Sequence, residues 1–362
     1  MAKILVLMLL VEFFLVFGWF LSSSSSATAS VLPNPSSSPN SIDPLIIHQE
    51  FENFITEYGK NYTTEEERSK RFQIFTKTFN YIAEFNRTRG PNTTFDLGIN
   101  FFADLDDDEL EKFCGDLPVS DSDEDYVRDD EEEERNMYNM TDQLPASVDW
   151  RSKGAVTSVK DQTSPACGGC WAFGTIAALE GLVQIRKKKL VELSVQELID
   201  CVEGSSCRGG YPDDAYEYIL ENQISSEEFY SYVGFKHTYC ANAITKREAK
   251  IDQYEQVPQG NELALKRRVA AQPVTVGICS DKAYYTYRRG VFSHDCPGGR
   301  TAKLNHVVAV VGYGTDAHGT DFWIIKDSQG TNWGERGFMR MKRGVGLRRI
   351  ARYAFYPVIV EF

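Results

Sequence analysis

A cysteine and a histidine in the second half of the chain have surroundings that suit nucleophilic catalysis. Cys170 opens a run with helical periodicity, and His306 lies 136 residues further on, directly before a β-rich run. A cysteine in the first turn of a helix is at the positive end of the macrodipole, which stabilises a thiolate. A histidine that folding brings against this thiol could take its proton and later protonate a leaving amine. The two residues therefore predict a pair for acyl transfer.

The same cysteine allows two other interpretations. Cys167-Gly-Gly-Cys170 is a Cys-x-x-Cys sequence, as found in thioredoxin-like oxidoreductases, but no βαβ pattern surrounds it. A free cysteine is also often a buried structural residue. No cluster of histidines and carboxylates has metal-ligand spacing, so we expect neither a metal nor an organic cofactor.

The elements that would position the pair differ in type. The run from Cys170 to Lys187 has the apolar spacing of a helix, whereas Val274–Ile278, Val307–Tyr313 and Phe322–Lys326 are short β-rich runs. We therefore expect a helical subdomain followed by a β subdomain. A cleft between two such units is a common place for an active site.

Composition and net charge argue against nucleic-acid binding and divide the chain into two parts. The chain has 362 residues, 42% of them hydrophobic, and a net charge of −13, which argues against a general nucleic-acid binder. The charge is uneven, because residues 1–143 sum to −17 and residues 144–362 to +4. Two parts with different fates are indicated, an acidic front half and a mildly basic back half.

The N-terminus predicts entry into the secretory pathway. Lys3, a long apolar run and a small-x-small site at Ala27–Ala29 favour a cleaved signal peptide over residues 1–29, with a signal anchor as the alternative. No later run is of membrane length, so we expect no membrane contact after signal removal. This compartment permits disulfides and glycosylation. The glycosylation candidates are Asn61, Asn86, Asn92 and Asn139.

The rest of the front half divides into three segments. Residues 30–44 are a Ser- and Pro-rich spacer, and residues 45–86 have helical periodicity. Residues 104–134 are strongly acidic with few apolar side chains, which predicts a solvated, disordered connector. The expected apolar stripes of the helical part are Ile46, Phe51, Phe54, Ile55 and Tyr58, then Phe72, Ile74, Phe75, Ile82 and Phe85.

Several motifs in one order resemble the papain-like cysteine proteases. They are the sequences around Cys170, His306 and Asp327, together with Val148-Asp-Trp-Arg and Cys207-Arg-Gly-Gly-Tyr-Pro. The resemblance covers about residue 45 to Pro357. It implies an α+β fold, a papain-like two-subdomain fold with a helical left and a β-barrel-like right subdomain, preceded by a helical inhibitory prodomain. The implied boundaries are 45–104 for the prodomain, 105–143 for an acidic linker removed on activation and 144–362 for the peptidase.

The resemblance also implies roles for individual residues. His306 would be the base, Asp327 the orienting group, and Gln162 and the Cys170 backbone N–H the oxyanion donors. Two disulfides are implied, Cys167–Cys207 and Cys201–Cys240, and we expect Cys279 to pair with Cys296. The implied substrate-binding residues are Gly210, Tyr211, Pro212, Gly277, Leu304, Asn305, Val307 and Tyr353.

The front half resembles the inhibitory propeptide of the same family. Glu67, Arg71, Phe75, Ile82 and Asn86 match its helical motif, with Thr78 in place of an Asn, and residues 98–104 match its second motif. The implied partners are protein or peptide substrates, the chain's own propeptide and cystatin-type inhibitors, and no nucleic acid. A monomer in the extracellular space, vacuole or lysosome is expected.

Four features depart from the family pattern. Asp327 stands where the family has Asn, Gln329 where it has a shielding Trp, and Arg348 where it has a disulfide cysteine, while the loop from Gln162 to Cys170 is longer by two residues. Loss of the Trp should admit water to the histidine–carboxylate bond. Two functions therefore stay open: a cysteine endopeptidase made as a zymogen, or a weakened or inactive papain-fold protein used for binding, storage or defence.

Overall fold

The computed structural model describes residues 42–91, 93–111, 113, 117, 144–163, 167–241 and 246–360. The predicted signal peptide, most of the spacer, Asn92, Asn139 and most of the acidic linker lie outside these residues. The described residues belong to one compact unit. In the described part of the chain, no helix is long and apolar enough to cross a membrane.

The helices lie in the first part of the described chain and between the strands of the second. Their bounds are α1 Pro44–Glu57, α2 Glu65–Thr88, α3 Asp107–Glu111, α4 Cys170–Lys187, α5 Val195–Cys201, α6 Pro212–Asn222, α7 Glu262–Ala271 and α8 Lys282–Tyr285. Short 3₁₀ turns cover Phe101–Asp104, Gly299–Thr301 and Leu347–Arg349.

Most of the strands belong to one sheet. The strands are β1 Phe95–Leu97, β2 Val148–Asp149, β3 Ile224–Ser225, β4 Arg247–Ala249, β5 Gln253–Gln256, β6 Val274–Ile278, β7 Tyr287–Phe292, β8 His306–Thr315, β9 Asp321–Lys326, β10 Phe338–Lys342 and β11 Tyr353–Val358. The sheet order is β1-β7-β10-β9-β8-β6-β11-β5, with β2 beside β8, and β3 pairs with β4 separately. The β-rich segments therefore form the second subdomain, and the first strand of the sheet comes from the front half.

The helical prediction for the front half is confirmed, with one difference in which residue faces the core. Helices α1 and α2 carry the two predicted apolar stripes, but in α1 Ile47 is buried and the predicted Ile46 is 38% exposed. Thr64 caps α2 by accepting a hydrogen bond from the Glu67 N–H (3.1 Å), and Glu67 accepts one from the Thr63 N–H (3.1 Å). The N-cap residue Thr64 and the residue before it are thus both bonded to Glu67, which explains why α2 begins where it does.

The prediction of a disordered connector beyond residue 104 is wrong for its first residues. Residues 107–111 form α3, and Leu110 on this helix is buried. Asp106 and Glu109 cap it, because each accepts a hydrogen bond from the backbone N–H of the other (2.9 Å each). An acidic composition predicts a solvated segment, but here the side chains of Asp106 and Glu109 cap a helix.

Helix α4 packs unusually close to the sheet, because glycine faces it. A Cβ at residue 174 would lie 2.7 Å from Val307 Cγ1, and one at residue 181 would lie 2.5 Å from the Pro273 ring. Gly174 is one turn after Cys170 and thus on the same helical face. This packing brings the start of α4 to the start of β8, where His306 stands.

The three disulfides join the loops around this core. Cys167 is bonded to Cys207, Cys201 to Cys240 and Cys279 to Cys296, with Cα–Cα distances of 4.6, 4.9 and 6.3 Å. Among the described cysteines only Cys170 is free of a disulfide. The Cys167–Cys207 bond removes the redox interpretation of the Cys-x-x-Cys sequence.

We predict that Gly174→Ala destabilises the zymogen, measured by denaturant unfolding in a Cys170→Ala background that cannot process itself. The new methyl meets Val307, and overpacking of this kind costs about 1–3 kcal/mol, more than the helix propensity gained. In combination with Val307→Ala the loss should be smaller than the sum of the single losses. Strictly additive changes would contradict the packing argument.

Candidate active site

The helix start at Cys170 is held by the loop before it. Gly169 is the N-cap of α4, its N–H donates to the Cys167 carbonyl (2.7 Å), and the Gly168 N–H donates to the Cys207 carbonyl (2.9 Å). The Cys167–Cys207 disulfide ties the same two segments covalently. Cys170 itself is buried. Because the loop before it is held in these ways, its thiol lies at a fixed helix N-terminus, where the helix dipole favours the thiolate.

Strand register brings His306 and Asp327 together. Ala309 of β8 pairs with Lys326 of β9, so extending the antiparallel register by one residue places Asp327 opposite Val308 and diagonally across from His306 on the same face. The His306 Nε2 lies 3.0 Å from Asp327 Oδ1 and 3.1 Å from Oδ2. The carboxylate therefore holds the imidazole by one nitrogen and leaves Nδ1 for another partner.

The expectation that water reaches this pair is wrong for the structure described. His306 is 0% and Asp327 3% exposed. The ring of Tyr284 packs edge-on against His306 at 5.5 Å, and the ring of Trp333 lies 5.4 Å from Tyr284. Aromatic rings from other segments therefore cover the pair in the absence of the family's tryptophan.

Gln162 is fixed between the cysteine loop and the carboxylate segment. Its backbone N–H donates to the Ser328 carbonyl (2.8 Å), and its side-chain oxygen accepts a short hydrogen bond from the Ser328 hydroxyl. Its side-chain NH₂ donates to the Cys167 carbonyl at 3.4 Å. Gln162 is therefore held between the loop that carries Cys167 and the segment that carries Asp327.

The predicted specificity pocket is occupied by a residue of the front half. A Cβ on Gly277 would lie 2.7 Å from Leu117 Cδ1 and 3.1 Å from the Tyr353 ring. The Leu117 N–H donates to the Leu304 carbonyl (2.8 Å), and Val307 belongs to the same apolar cluster. Sequence reasoning missed Leu117, because it lies in the acidic segment and no local pattern marks it.

Three further predicted binding residues, Gly210, Tyr211 and Pro212, lie next to one another at the start of α6. Tyr211 is half-buried beside Pro212, which begins α6. A Cβ on Gly210 would lie 2.6 Å from both the Trp171 ring and Ser205 Oγ, so only glycine fits there.

The side chain of Asn305, a predicted substrate-binding residue, is bonded to the loop after β6. Its oxygen accepts from the Ser280 N–H (2.7 Å), and its NH₂ donates to the Ser280 carbonyl (3.0 Å). The side chain is thus used to clamp the loop after β6. Any contact of Asn305 with substrate would have to come from its backbone.

The front half covers the nucleophile as well as the pocket. The carbonyl oxygen of Phe113 lies 2.4 Å from where a Cβ on Gly168 would be, so the front-half backbone passes directly over the cysteine loop. Strand β1 extends the sheet beside β7, and the Asn100 side chain donates to the Tyr285 carbonyl (2.7 Å). A chain that fills the cleft in this way blocks access to Cys170.

The comparisons agree with this arrangement of a peptidase and a covering domain. Residues 144–358 match the family described as papain family cysteine protease, and residues 51–110 match the cathepsin propeptide inhibitor domain (I29). The chain belongs to the papain family of cysteine proteases. It is a zymogen with its inhibitory propeptide in place.

Relatives with both parts cover most of the chain. Ananain of Ananas comosus is 36% identical over 90% of this chain and 92% of its own, and the thiol protease SEN102 of Hemerocallis sp. is 40% identical over 81% of each. Among solved structures, a recombinant stem bromelain precursor superposes with a TM-score of 0.74 at 35% identity, covering 87% of this chain and 99% of its own. The fold and the zymogen organisation of this papain-family protease are therefore shown.

Two propeptide residues that match the family motif act as clamps. The Asn86 side chain donates to the Leu97 carbonyl (2.8 Å) and accepts from the Leu97 N–H (3.1 Å), which fixes β1. A glycan on this half-buried nitrogen would disturb the clamp, which argues against glycosylation at Asn86. Asn61, another predicted glycosylation site, lies between α1 and α2 and is exposed.

Arg71 is the second of these clamps. Its guanidinium donates to the Asp104 carbonyl (3.0 Å) and to Glu109 (2.8 Å).

Arg348 occupies the position of the missing family cysteine. Its guanidinium is fully buried, pairs with Asp281 (2.9 Å), donates to the His294 carbonyl (2.8 Å) and lies 4.9 Å from the Phe292 ring. Cys296 has instead bonded to Cys279, and its sulfur lies 2.9 Å from Arg348 Nη1. An ion pair and a ring contact thus replace one covalent bridge at this end of the molecule.

Gln329 stands where the family has a tryptophan, and its side-chain amide makes no hydrogen bond to the described residues. The residue is 4% exposed, and neither side-chain amide atom has a hydrogen-bond partner among the described residues. It faces a cavity of about 180 Å³ between the propeptide and the peptidase, together with Tyr58, Asn100, Asp161 and Trp333. An unpaired buried amide lowers the stability of the state that buries it.

We predict that Gln329→Leu raises the free energy of unfolding of the zymogen by about 1–2 kcal/mol, because leucine fills similar space without an unpaired amide. Denaturant unfolding in the Cys170→Ala background measures it. Gln196→Leu is the matched control. Gln196 is equally buried but bonds to Asp200, Phe235 and Val233, so its replacement should destabilise. Equal losses in both variants would contradict the prediction.

Proposed function

We propose that this papain-family protease is an active endopeptidase in which Cys170, His306, Asp327 and Gln162 carry the reaction. The observation that carries the proposal is the pairing of His306 Nε2 with Asp327 at 3.0 Å, beside a helix that begins with Cys170, whose thiol is not in a disulfide. Replacement of Asn by Asp has not broken the geometry that orients the imidazole. This favours catalysis over an inactive binding or storage protein.

In the proposed reaction the Cys170 proton passes to His306 Nδ1, and the thiolate attacks the scissile carbonyl carbon. The carbonyl π electrons move to oxygen, where the Cys170 backbone N–H and the Gln162 side-chain NH₂ donate to the oxyanion. The intermediate collapses, the C–N bond breaks, and the leaving amine takes the proton from His306. Water then attacks the thioester with His306 as base, which releases the acid and restores the thiol.

The propeptide indicates the preferred substrate side chain. Leu117 rests on Gly277 and against Tyr353, in the pocket proposed for the residue second on the acyl side of the cut. The Tyr353 hydroxyl donates to Asp213 (2.5 Å), which fixes the ring at the pocket's far end. A branched aliphatic side chain of leucine size is therefore the proposed preference.

Release of the propeptide is proposed to be driven by acid. Acidic propeptide side chains pair with peptidase cations at Asp96–Arg289 (2.6 Å) and Asp107–Lys282 (3.0 Å). Protonation of these carboxylates at low pH removes the attraction. We further propose secretion followed by action as a monomer outside the cell or in a vacuole or lysosome, and inhibition by cystatin-type proteins that enter the cleft.

The activity is tested with the epoxide E-64, the inhibitor in a solved bromelain complex that is 40% identical over 60% of this chain. We expect the acid-processed protein to be labelled stoichiometrically and to cleave a fluorogenic dipeptide with leucine as its second residue from the cut. Cys170→Ala should abolish both, because the thiol is the nucleophile. Active-site titration and initial rates are the measurements.

The other outcomes separate the two functions. Labelling without turnover would show an activated thiol with a defective oxyanion site or a blocked deacylation. Absence of labelling in folded, correctly processed protein would overturn the proposed function in favour of a binding role.

Glu109 gives a pH prediction with a defined sign. Partial burial opposes its ionisation, but hydrogen bonds from Arg71 and from the Asp106 N–H outweigh it and hold its pKa below the ordinary 4.5. A carboxyl group with a lowered pKa in the folded state stabilises the fold above the unfolded-state value, and the contribution is lost as pH falls through the folded value. Glu109 should therefore hold α3 on α2 at neutral pH and release it below 4.5.

We predict that Glu109→Gln speeds self-processing about fivefold at about pH 6, the effect of ~1 kcal/mol for a partly exposed charge-assisted contact, and that the acceleration is smaller at about pH 3.5. Gel-based processing rates across this range measure the change. Glu111→Gln, on the exposed side of the same helix, is the matched control and should behave as wild type. Equal acceleration at both pH values would contradict the assignment.

A further inference from the structure

The Asp327 carboxylate has a second side-chain partner that the sequence motifs do not indicate. The Tyr284 hydroxyl donates to Oδ2 at 2.5 Å, and the Ser328 N–H donates to Oδ1 at 2.7 Å. His306 Nε2 lies within 3.1 Å of both oxygens. The histidine, the carboxylate and the tyrosine thus form one buried hydrogen-bonded chain.

Tyr284 is held in place independently of this bond. It lies on α8, where its backbone N–H donates to the N-cap side chain of Asp281 (3.0 Å). Its ring is fully buried and contacts His306 and Trp333. Burial first, and then the charge of Asp327, raise the pKa of Tyr284 well above 10, so the hydroxyl stays a donor over the working pH range.

The other charged and titratable groups around Asp327 are bonded elsewhere, so their side chains are not donors to its carboxylate. On its own strand, Lys326 turns to Thr157 (2.8 Å) and towards Glu180 (4.0 Å). From α8, Tyr285 shares a hydrogen bond with Ser280 (3.1 Å). Arg348 influences Tyr284 only through space and pairs with Asp281. Glu180 lines the small cavity on the far side of Asp327.

We propose that Tyr284 is a positioning residue that makes a carboxylate serve where the family uses a neutral amide. An undiluted carboxylate on Nε2 in a dry site would stabilise the imidazolium so strongly that Nδ1 would give up its proton to the leaving amine less readily. The tyrosine O–H takes up part of the negative charge and fixes the plane of the carboxylate against His306. This inference rests on the proposed function, because it requires His306 to act as acid and base.

The test is the pH dependence of kcat/KM for the processed Tyr284→Phe variant, which keeps the ring. Loss of the donor strengthens the hold of Asp327 on the imidazolium, so we expect the alkaline limb to move up by about half to one pH unit. We also expect kcat to fall about tenfold with KM unchanged, since the effect concerns proton transfer. Titration with E-64 counts the folded active sites, so that misfolded protein does not enter the rates.

Two further variants make the result specific. In an Asp327→Asn background, Tyr284→Phe should leave the alkaline limb where it is, because the amide has no charge to dilute. Tyr216→Phe removes a hydroxyl that is equally buried but bonded to Thr275 (2.7 Å), and should leave both limbs in place. An unmoved limb in Tyr284→Phe, or the same shift in the Asn background, would overturn the inference. In either case turnover by the wild type would keep the proposed function intact, whereas absent wild-type turnover would remove both.

Discussion

The close contact of α4 with β8 is the constraint on which the site depends. The thiol comes from a helix and the imidazole from a strand, and they meet because Gly174 lets the helix backbone approach Val307 and Val308. A larger side chain there would separate the two subdomains at the catalytic pair. The register of β8 and β9 then places the orienting group Asp327, the first residue after β9, diagonally across from His306.

The propeptide covers the peptidase at three places. It adds β1 to the sheet, places Leu117 on Gly277 and passes its backbone over Gly168. Gly290, at φ +97°, is required for the first of these contacts, since a Cβ there would lie 2.0 Å from the Thr94 carbonyl oxygen. Inhibition therefore consists of ordinary packing and hydrogen bonding at the cleft, with ion pairs between propeptide and peptidase at Asp96–Arg289 and Asp107–Lys282.

The departures from the family pattern are compensated locally to different degrees. Asp327 is matched by the hydroxyl of Tyr284, and Arg348 by the carboxylate of Asp281 and the new Cys279–Cys296 bond. Gln329 has no such compensation in the zymogen, because its amide is buried without partners among the described residues. A changed buried polar group is tolerated when a nearby group changes its bonding to suit it.

The order of motifs along the chain, through its resemblance to a family, was enough to predict the papain-like fold, and periodicity was enough to predict the helices of the propeptide. Motifs and periodicity both act over a few residues. The contact of Tyr284 with Asp327, the place of Leu117 in the pocket, the helix caps at residues 106–109 and the bonding of the Asn305 side chain to Ser280 appear only in the folded structure. Such contacts join segments far apart in the chain, or use a common residue type in an uncommon place. Their partners are selected by packing and strand register, which no short stretch of sequence records.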